Sequence, residues 1–422
     1  MAEIPYGDFS ASFYRRAGTA RLPMNGTMEI SHRCPLECAH CYNNLAMSDG
    51  AARDRELTVD EYRRVLDEMA EAGCLWLLFT GGEIFARREF LDIYRYAKEK
   101  GFIITLFTNG TLITPRIADF LVEWRPFAIE ITLYGRTRET YERLTGVPGS
   151  FDRCMRGIEL LMERNLPLKL KTVAVTINQH EIWDMMRFAE EDLGVSFKFD
   201  SAINPRIDCS QSPLATRLSP SDVVRLDLED PRRVEEWARF QESFCEVSKA
   251  VGETSDQVYS CGGGINSFAI DPYGRMSICT LSQADMFDLR DGSFREGWDE
   301  FLGKVRLGKK RTMLTKCVSC GLKSMCGMCP ANGELENNDA EAPVDYLCHV
   351  AHLRAETLGL EIPEHGECEY CPGGAAHDRV AEDAAALKSG VPRRTVRSLP
   401  IALRPEAASG CGSGCNSCAG GS

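Results

Sequence analysis

The chain has 422 residues, with 49 Lys and Arg against 62 Asp and Glu, a formal net charge of −13. The length suits two or three domains with cores of their own, and the acidic balance argues against a nucleic-acid partner, which would want a basic face. No run of about 18 apolar residues would cross a membrane. The stretch Met1 to Arg21 lacks the apolar segment of a secretory signal, so a cytoplasmic protein is expected.

From Met24 to about Asp200 the pattern alternates between strand and helix. Thr27–Ile30 reads as a strand running into a cysteine loop. Thr58–Ala72 reads as a helix, with Thr58 as cap, Glu61 three residues on and apolar residues at Val59, Tyr62, Leu66 and Met69. The apolar run Cys74–Phe79 ends at Gly81-Gly82, as a buried parallel strand feeding a loop would. Next come a helix (Phe90–Lys100), a strand (Ile103–Phe107) closed by Asn109-Gly110, a helix (Ile117–Glu123) and a strand (Ala128–Leu133). Helix Asp152–Arg164, strand Leu168–Val175, helix Ile182–Asp192 and strand Ser196–Asp200 follow. Six strands with helices between them imply a parallel α/β sheet with right-handed crossovers, and six units favour a partial barrel over a closed one of eight.

Residues 204–260 read as a polar bridge with an amphipathic helix around Val234–Val247. From Cys261 to about Leu360 cysteines are dense and glycine turns break any long period, as in small domains where metal replaces a core. Residues 361–422 are rich in Gly, Ala and Pro, with one plausible helix at Ala375–Lys388 and a flexible end.

There are 19 cysteines. Disulfide frameworks belong to small secreted domains, whereas clustered cysteines in a long chain without a signal read as metal or cluster ligands. Cys74, Cys154, Cys209 and Cys245 stand alone and read as small core residues. Cys34-Pro-Leu-Glu-Cys38-Ala-His-Cys41 is different. Three thiolates on one loop can hold three irons of a [4Fe–4S] cube and leave the fourth open to an exogenous chelator, for which a methionine amino and carboxylate group are suited. A structural zinc site recruiting His40 or His32 is the competing reading.

A CxxxCxxC loop after the first strand of such a repeat resembles the radical S-adenosylmethionine superfamily. The resemblance implies a partial (β/α)6 barrel, S-adenosylmethionine as cofactor, and a 5′-deoxyadenosyl radical that abstracts a substrate hydrogen, with the cofactor carrying the hard chemistry. His40 stands where many members have an aromatic residue. Gly81-Gly82-Glu83 matches the family's GGE motif and implies that Glu83 and its backbone hold the cofactor ammonium group. Thr108-Asn109-Gly110-Thr111 resembles the TNG turn. Thr132, ending the fourth strand, resembles the residue on the ribose or carboxylate, and Arg143 a carboxylate-binding arginine. The sequence assigns no catalytic side chain beyond these.

Cys261, Cys279, Cys317, Cys320, Cys326, Cys329 and Cys348 resemble in order the SPASM extension of the same superfamily, with two residues rather than three between Cys326 and Cys329. That resemblance implies two auxiliary [4Fe–4S] clusters. Cys317, Cys320, Cys326 and Cys348 would hold the distal one. Cys261, Cys279 and Cys329 would hold the proximal one, with its fourth ligand open between Cys245, Cys209 and a substrate thiolate. Two zinc sites are the alternative.

In the tail, Cys368-x2-Cys371 precedes Cys411, Cys415 and Cys418, which repeat the CxxxCxxC spacing without a preceding strand. Three readings stand: ligation of a fourth cluster, delivery of thiols or metal during assembly, or imitation of a cysteine-rich substrate. The expected organisation is thus an arm (1–23), a radical core (24–203), a bridge (204–260), a SPASM domain (261–360) and a tail (361–422).

The resemblance implies a peptide maturase that acts on a ribosomally made substrate by crosslinking or oxidation, fed by an electron donor such as flavodoxin or ferredoxin. Only some 25 residues precede the first strand, so leader recognition is expected elsewhere or in a separate protein. Anaerobic sulfatase maturation, action on a small cofactor precursor, and a non-catalytic iron–sulfur carrier are the alternatives.

Overall fold

The computed structural model describes residues 16–240, 256–313, 315–318, 320–360 and 367–390. The chain divides into two compact units. One comprises Arg21–Arg217 with Gly263–Arg306, and the other gathers Met1–Ala20, Leu218–Gly262 and Leu307–Ser422.

The first unit is built on six parallel strands: β1 (Asn25–Glu29), β2 (Trp76–Thr80), β3 (Ile103–Thr108), β4 (Ala128–Thr132), β5 (Leu168–Val173) and β6 (Phe197–Asp200). Between them run α1 (Val59–Glu71), α2 (Phe90–Glu99), α3 (Pro115–Glu123), α4 (Arg138–Thr145), α5 (Ser150–Glu163) and α6 (Ile182–Arg187). This is the mostly parallel α/β partial barrel that the alternation predicts. The helix starts follow from their caps: Thr58 and Glu61 form a capping box on α1, and Thr114 caps α3 ahead of Pro115.

Three further strands of the same sheet lie outside that prediction. β7 (Ser267–Ile270) runs parallel to β1 on its free edge, and β8 (Arg275–Ser277) and β9 (Phe287–Asp288) continue antiparallel, giving the order β9-β8-β7-β1-β2-β3-β4-β5-β6. The stretch 261–360 is thus divided between the units, with Gly263–Arg306 in the sheet unit and the residues from Leu307 on in the other. The open edge of β1 offers unpaired N–H and C=O groups, and a strand 242 residues on in sequence satisfies them, as Asn25 pairs with Ser267.

The sheet has two unlike faces because side chains alternate along a strand. Leu77, Phe79, Ile104, Leu106, Ile129, Ile131 and Leu170 are buried on one face, where Phe79 packs edge-on against Phe90 of α2. Burying an aliphatic or aromatic side chain stabilises the fold by about 1.5–3 kcal/mol each, so this face dominates the energetics. The registers Phe107↔Glu130, Glu130↔Lys169, Thr132↔Lys171 and Lys171↔Lys198 put polar and charged residues together on the other face.

The second unit contains α7 (Pro220–Glu229), a helix over 231–240, Pro330–Asn337, α8 (Asp345–Leu358) and α9 (His377–Gly390). The helix expected at Val234–Val247 is thus present over its described part, and the rest of it lies outside the described residues. Asp227 of α7 is buried and held by Arg233 at 2.7 Å and Arg354 at 2.8 Å. Arg354 also lies 3.9 Å from the Trp237 ring centroid and donates to the Met325 carbonyl at 2.6 Å. Burial alone would raise the Asp227 carboxyl, but the two guanidiniums hold it below the usual range. No helix among the described residues is long and apolar enough to cross a membrane.

Candidate functional site

The CxxxCxxC loop leaves the end of β1 and is tied down at both ends. Glu29, the last residue of β1, accepts from Asn43 Nδ2 at 2.7 Å and Tyr42 Oη at 3.0 Å, and its other oxygen lies 3.2 Å from His32 Nε2. One buried carboxylate thus joins residues on both sides of the three cysteines. Burial draws the His32 imidazolium down, but Glu29 outweighs it and His32 ends above its ordinary value. Arg206 donates to the carbonyls of Cys41 and Asn44 at 3.3 and 2.9 Å. The Glu37 and Ala39 N–H groups donate to Thr145 and Leu144, so the loop seats on the C-terminal turn of α4 and satisfies carbonyls the helix leaves open.

The thiols sit in a polar cage within this loop. Cys34 Sγ accepts from the Leu36 N–H at 3.4 Å and from Asn109 Nδ2 at 3.5 Å, and Cys41 Sγ lies 3.6 Å from Asn43 Oδ1. Burial pushes the Cys34 thiol up to about 12, with Glu83 adding to the effect, and pushes Cys38 and Cys41 up as well. A bound cation reverses that logic, since a coordinating thiol is deprotonated outright. The N–H donors on Cys34 suit the metal-bound thiolate, whose charge they stabilise. Within this loop His40 Nδ1 is buried without a hydrogen-bond partner, with the ring 5.4 Å from Tyr134, and burial drives its imidazole down to about 4. A neutral imidazole with an orphaned nitrogen is what a bound group at this loop would engage.

Gly81 and Gly82 are required by close approach. A Cβ on Gly81, which has φ +132°, would lie 2.3 Å from the Ser31 carbonyl, and one on Gly82 would lie 2.4 Å from that of His32. The GGE backbone therefore packs directly on the chain that enters Cys34, and Gly82 N–H donates to Ser31 O at 2.7 Å. Glu83 is buried and turned toward the end of β3, accepting from Thr108 Oγ1 at 2.7 Å and Asn109 N–H at 2.8 Å. Burial raises its carboxyl to about 6 against these donors. Asn109 in turn accepts from the Thr111 N–H and hydroxyl while its amide reaches Cys34. Three separated motifs thus form one hydrogen-bonded chain. Thr132 ends β4 half-buried, and Arg143 lies exposed on the last turn of α4.

The polar sheet face adds residues that motif reading did not single out. Glu130 Oε2 lies 3.3 Å from Lys171 Nζ and 3.0 Å from Lys198 Nζ, and Lys171 Nζ sits 2.7 Å from the Phe107 ring centroid. Burial pushes the Lys171 ammonium down to about 7, against the pull of Glu130. Burial would raise Glu130, but Lys171 and Lys198 hold it below its ordinary value. The alternation in Leu168-Lys169-Leu170-Lys171 was the available signal.

In the second unit Cys326 and Cys348 meet through their thiols. That contact is the main reason Cys326 retains its proton and Cys348 shifts down. Cys317 and Cys320 also feel the Cys348 charge, though burial is the larger cause of their upward shift, and Cys320 Sγ accepts from the Leu322 N–H at 3.4 Å. Cys261 and Cys329 fall in this unit and Cys279 in the other. Cys74 and Cys154 are buried as core residues, while Cys209 is exposed rather than buried in a core. Cys245, Cys411, Cys415 and Cys418 lie outside the described residues.

Residues 28–189 match the radical SAM superfamily model. The chain is 25% identical over 328 residues to an AdoMet-dependent heme synthase of Methanosarcina barkeri, covering 74% of this chain and 92% of that one. It is 26% identical over 359 residues to a PqqA peptide cyclase of Rhodopseudomonas palustris, covering 80% and 89%. Its fold resembles Streptococcus suis SuiB bound to S-adenosylmethionine, with a TM-score of 0.56 at 17% identity over 82% of each chain. The structure of SuiB with its precursor peptide SuiA gives 0.55, covering 81% of each chain at 17% identity. The loop after β1 and the GGE turn packed on it lie within the match, and residues 28–189 form a domain of the radical SAM superfamily, whose members use a [4Fe–4S] cluster and S-adenosylmethionine.

Proposed function

We propose that this chain is a SPASM-type radical enzyme that abstracts hydrogen from a ribosomally made peptide, forming a thioether or other crosslink or oxidising a side chain. The observation that carries this reading is the extent of the likeness to a peptide cyclase. It runs over 80% of the chain and so takes in more than the barrel that radical generation alone needs. The SuiB fold, seen with a precursor peptide, supports it.

When bound, the cluster and S-adenosylmethionine supply the hydrogen-abstracting radical. Cys34, Cys38 and Cys41 would hold the cluster. Gly81, Gly82, Glu83, Asn109, Thr132 and Arg143 would form the cofactor's surroundings. Asn109 orients Cys34, and Glu83 fixes Asn109. Lys171, its ammonium brought down to about 7 by burial beside the ionised Glu130, can hold or move a proton on the polar sheet face near pH 7. Cys317, Cys320, Cys326 and Cys348 would hold a distal auxiliary cluster, and Cys261, Cys279 and Cys329 three positions of a proximal one. The enzyme would work in a reducing cytoplasm with a flavodoxin- or ferredoxin-like donor, its leader bound elsewhere on the chain or by a separate protein.

A second reading, action on a small cofactor precursor, is favoured by the likeness to heme synthase over 92% of that protein. Anaerobic protein with dithionite and S-adenosylmethionine should release 5′-deoxyadenosine. Incubation with the peptide encoded beside its gene should remove hydrogen from that peptide by mass. 5′-Deoxyadenosine without any peptide product, but with turnover of a tetrapyrrole, would move the assignment to the second reading.

A further inference from the structure

Outside the radical loop and the SPASM cysteines, one set of side chains converges. His352 lies on α8, one turn after Cys348, and Cys368 and Cys371 lie on the turn that follows the 361–366 segment. All three residues are buried, and their ligand atoms all lie within 4.8 Å of one another. His352 Nε2 is 3.5 Å from Cys368 Sγ and 3.6 Å from Cys371 Sγ.

The other ring nitrogen decides what Nε2 can do. Nδ1 lies 2.7 Å from the Cys348 carbonyl, which can only accept, so Nδ1 carries the proton and Nε2 presents a lone pair in the neutral ring. A metal-ligating histidine is oriented in this way. A lone pair aimed between two sulfurs at nearly equal distance is more than one hydrogen bond explains, since it can accept from one thiol at a time. Zinc at about 2.3 Å from sulfur and about 2.0 Å from nitrogen, with tetrahedral angles, sets the N···S separation at about 3.5 Å.

The loop is shaped for this before any ion arrives. The Gly374 N–H donates to the Cys371 carbonyl at 2.8 Å, and a Cβ on Gly374 would lie 2.4 Å from the Cys368 and Glu369 carbonyls. Tyr370, between the two cysteines, donates to Asp345 at 2.8 Å and lies 5.3 Å from the His352 ring, which holds the turn on α8. Val224, Leu353, Val380 and Ala384 wall the group off from water.

We propose that His352, Cys368 and Cys371 bind one zinc ion, distinct from every iron–sulfur cluster, which clips the 367–390 segment to α8. Binding releases the two thiol protons and leaves the imidazole neutral. The set is too compact for separate irons of a cube. Among the described residues it fills three tetrahedral positions, and the fourth goes to a ligand outside this set. Because Nδ1 holds the carbonyl of Cys348, the clip also braces a helix turn that carries a cysteine of the distal set.

The test uses the full chain, purified anaerobically from medium containing zinc and reconstituted with iron and sulfide. Metal analysis should find about one zinc per chain, and zinc-edge absorption should show a mixed shell with two sulfurs at about 2.3 Å and imidazole nitrogen. C368S/C371S should lose that zinc while keeping its iron and 5′-deoxyadenosine formation, and H352C should keep it with one more sulfur. Absence of zinc from the wild-type chain, a shell without imidazole, or zinc retained by C368S/C371S would overturn the proposal. So would loss of iron rather than zinc in H352C, a readout that does not depend on the double variant folding.

Discussion

The two units order themselves by different means. In the barrel unit the cysteines that matter sit on a loop, and the fold beneath them is an apolar sheet face that needs no metal. In the other unit cysteines are part of the core: Cys348, Cys368 and Cys371 pack with Val224, Leu353 and Val380, and Cys320 and Cys326 pack against Leu322 and Met325. Among the described residues the unit also buries Val223, Leu226, Leu335 and Val350 and the Asp227–Arg354 pair. The difference teaches that one residue type does two jobs. On the barrel loop a cysteine is a tool on a finished scaffold, and in the second unit it is part of the scaffold.

The strongest way to break this comparison is to remove the loop thiols. C34A/C38A/C41A should lose about four irons and all 5′-deoxyadenosine formation, yet keep the barrel's circular dichroism. If the barrel unfolds, the loop is structural after all. C348A should also lose about four irons, but with partial melting of the second unit and with S-adenosylmethionine cleavage retained. Limited proteolysis of the 307–390 region reads that difference.

A smaller effect is expected from Asp227→Asn. It leaves two guanidiniums short of a buried counter-charge and should cost about 3–5 kcal/mol, confined to the second unit's denaturant transition. In the barrel unit Gly81→Ala should cost about 1–3 kcal/mol through backbone strain and displace the cysteine loop, seen as weaker cluster retention at unchanged helix content.

The subtlest test is of pH. Lys171 falls to about 7 in the folded chain and stands near 10.5 when unfolded. Between those values the unfolded state binds more protons, so this group makes the fold gain stability as pH rises from about 7 toward 10.5, and below about 7, where both states hold the proton, its contribution no longer changes. Lys171→Met should flatten the slope between pH 7 and 10 in denaturant titrations. An unchanged slope would show that Lys171 is solvated and normal.

Much of the barrel was legible because period and punctuation agree locally. Thr58 and Glu61, Thr114 and Pro115, and the apolar run before Gly81 each mark an element edge within a few residues. The strand Ser267–Ile270 was hidden, since its partner is the β1 edge and nothing near it in sequence announces that pairing. The polar face was half-visible: the Leu-Lys alternation of β5 can be read, but that Lys171 and Lys198 share Glu130 depends on the registers of three strands.

The chain by itself determined the chemistry available: a CxxxCxxC loop, a GGE turn and a TNG turn in the order a parallel repeat would present them. Short-range spacing suffices there because each motif is a turn at the end of its own strand. Tertiary structure alone decided which groups act together. Glu83 serves Asn109 and Asn109 serves Cys34 because three strand ends converge in one sheet. Cys368 and Cys371 find His352 because α8 carries that ring to them from 16 residues away. Convergence of that kind depends on packing, and spacing along the chain does not encode it.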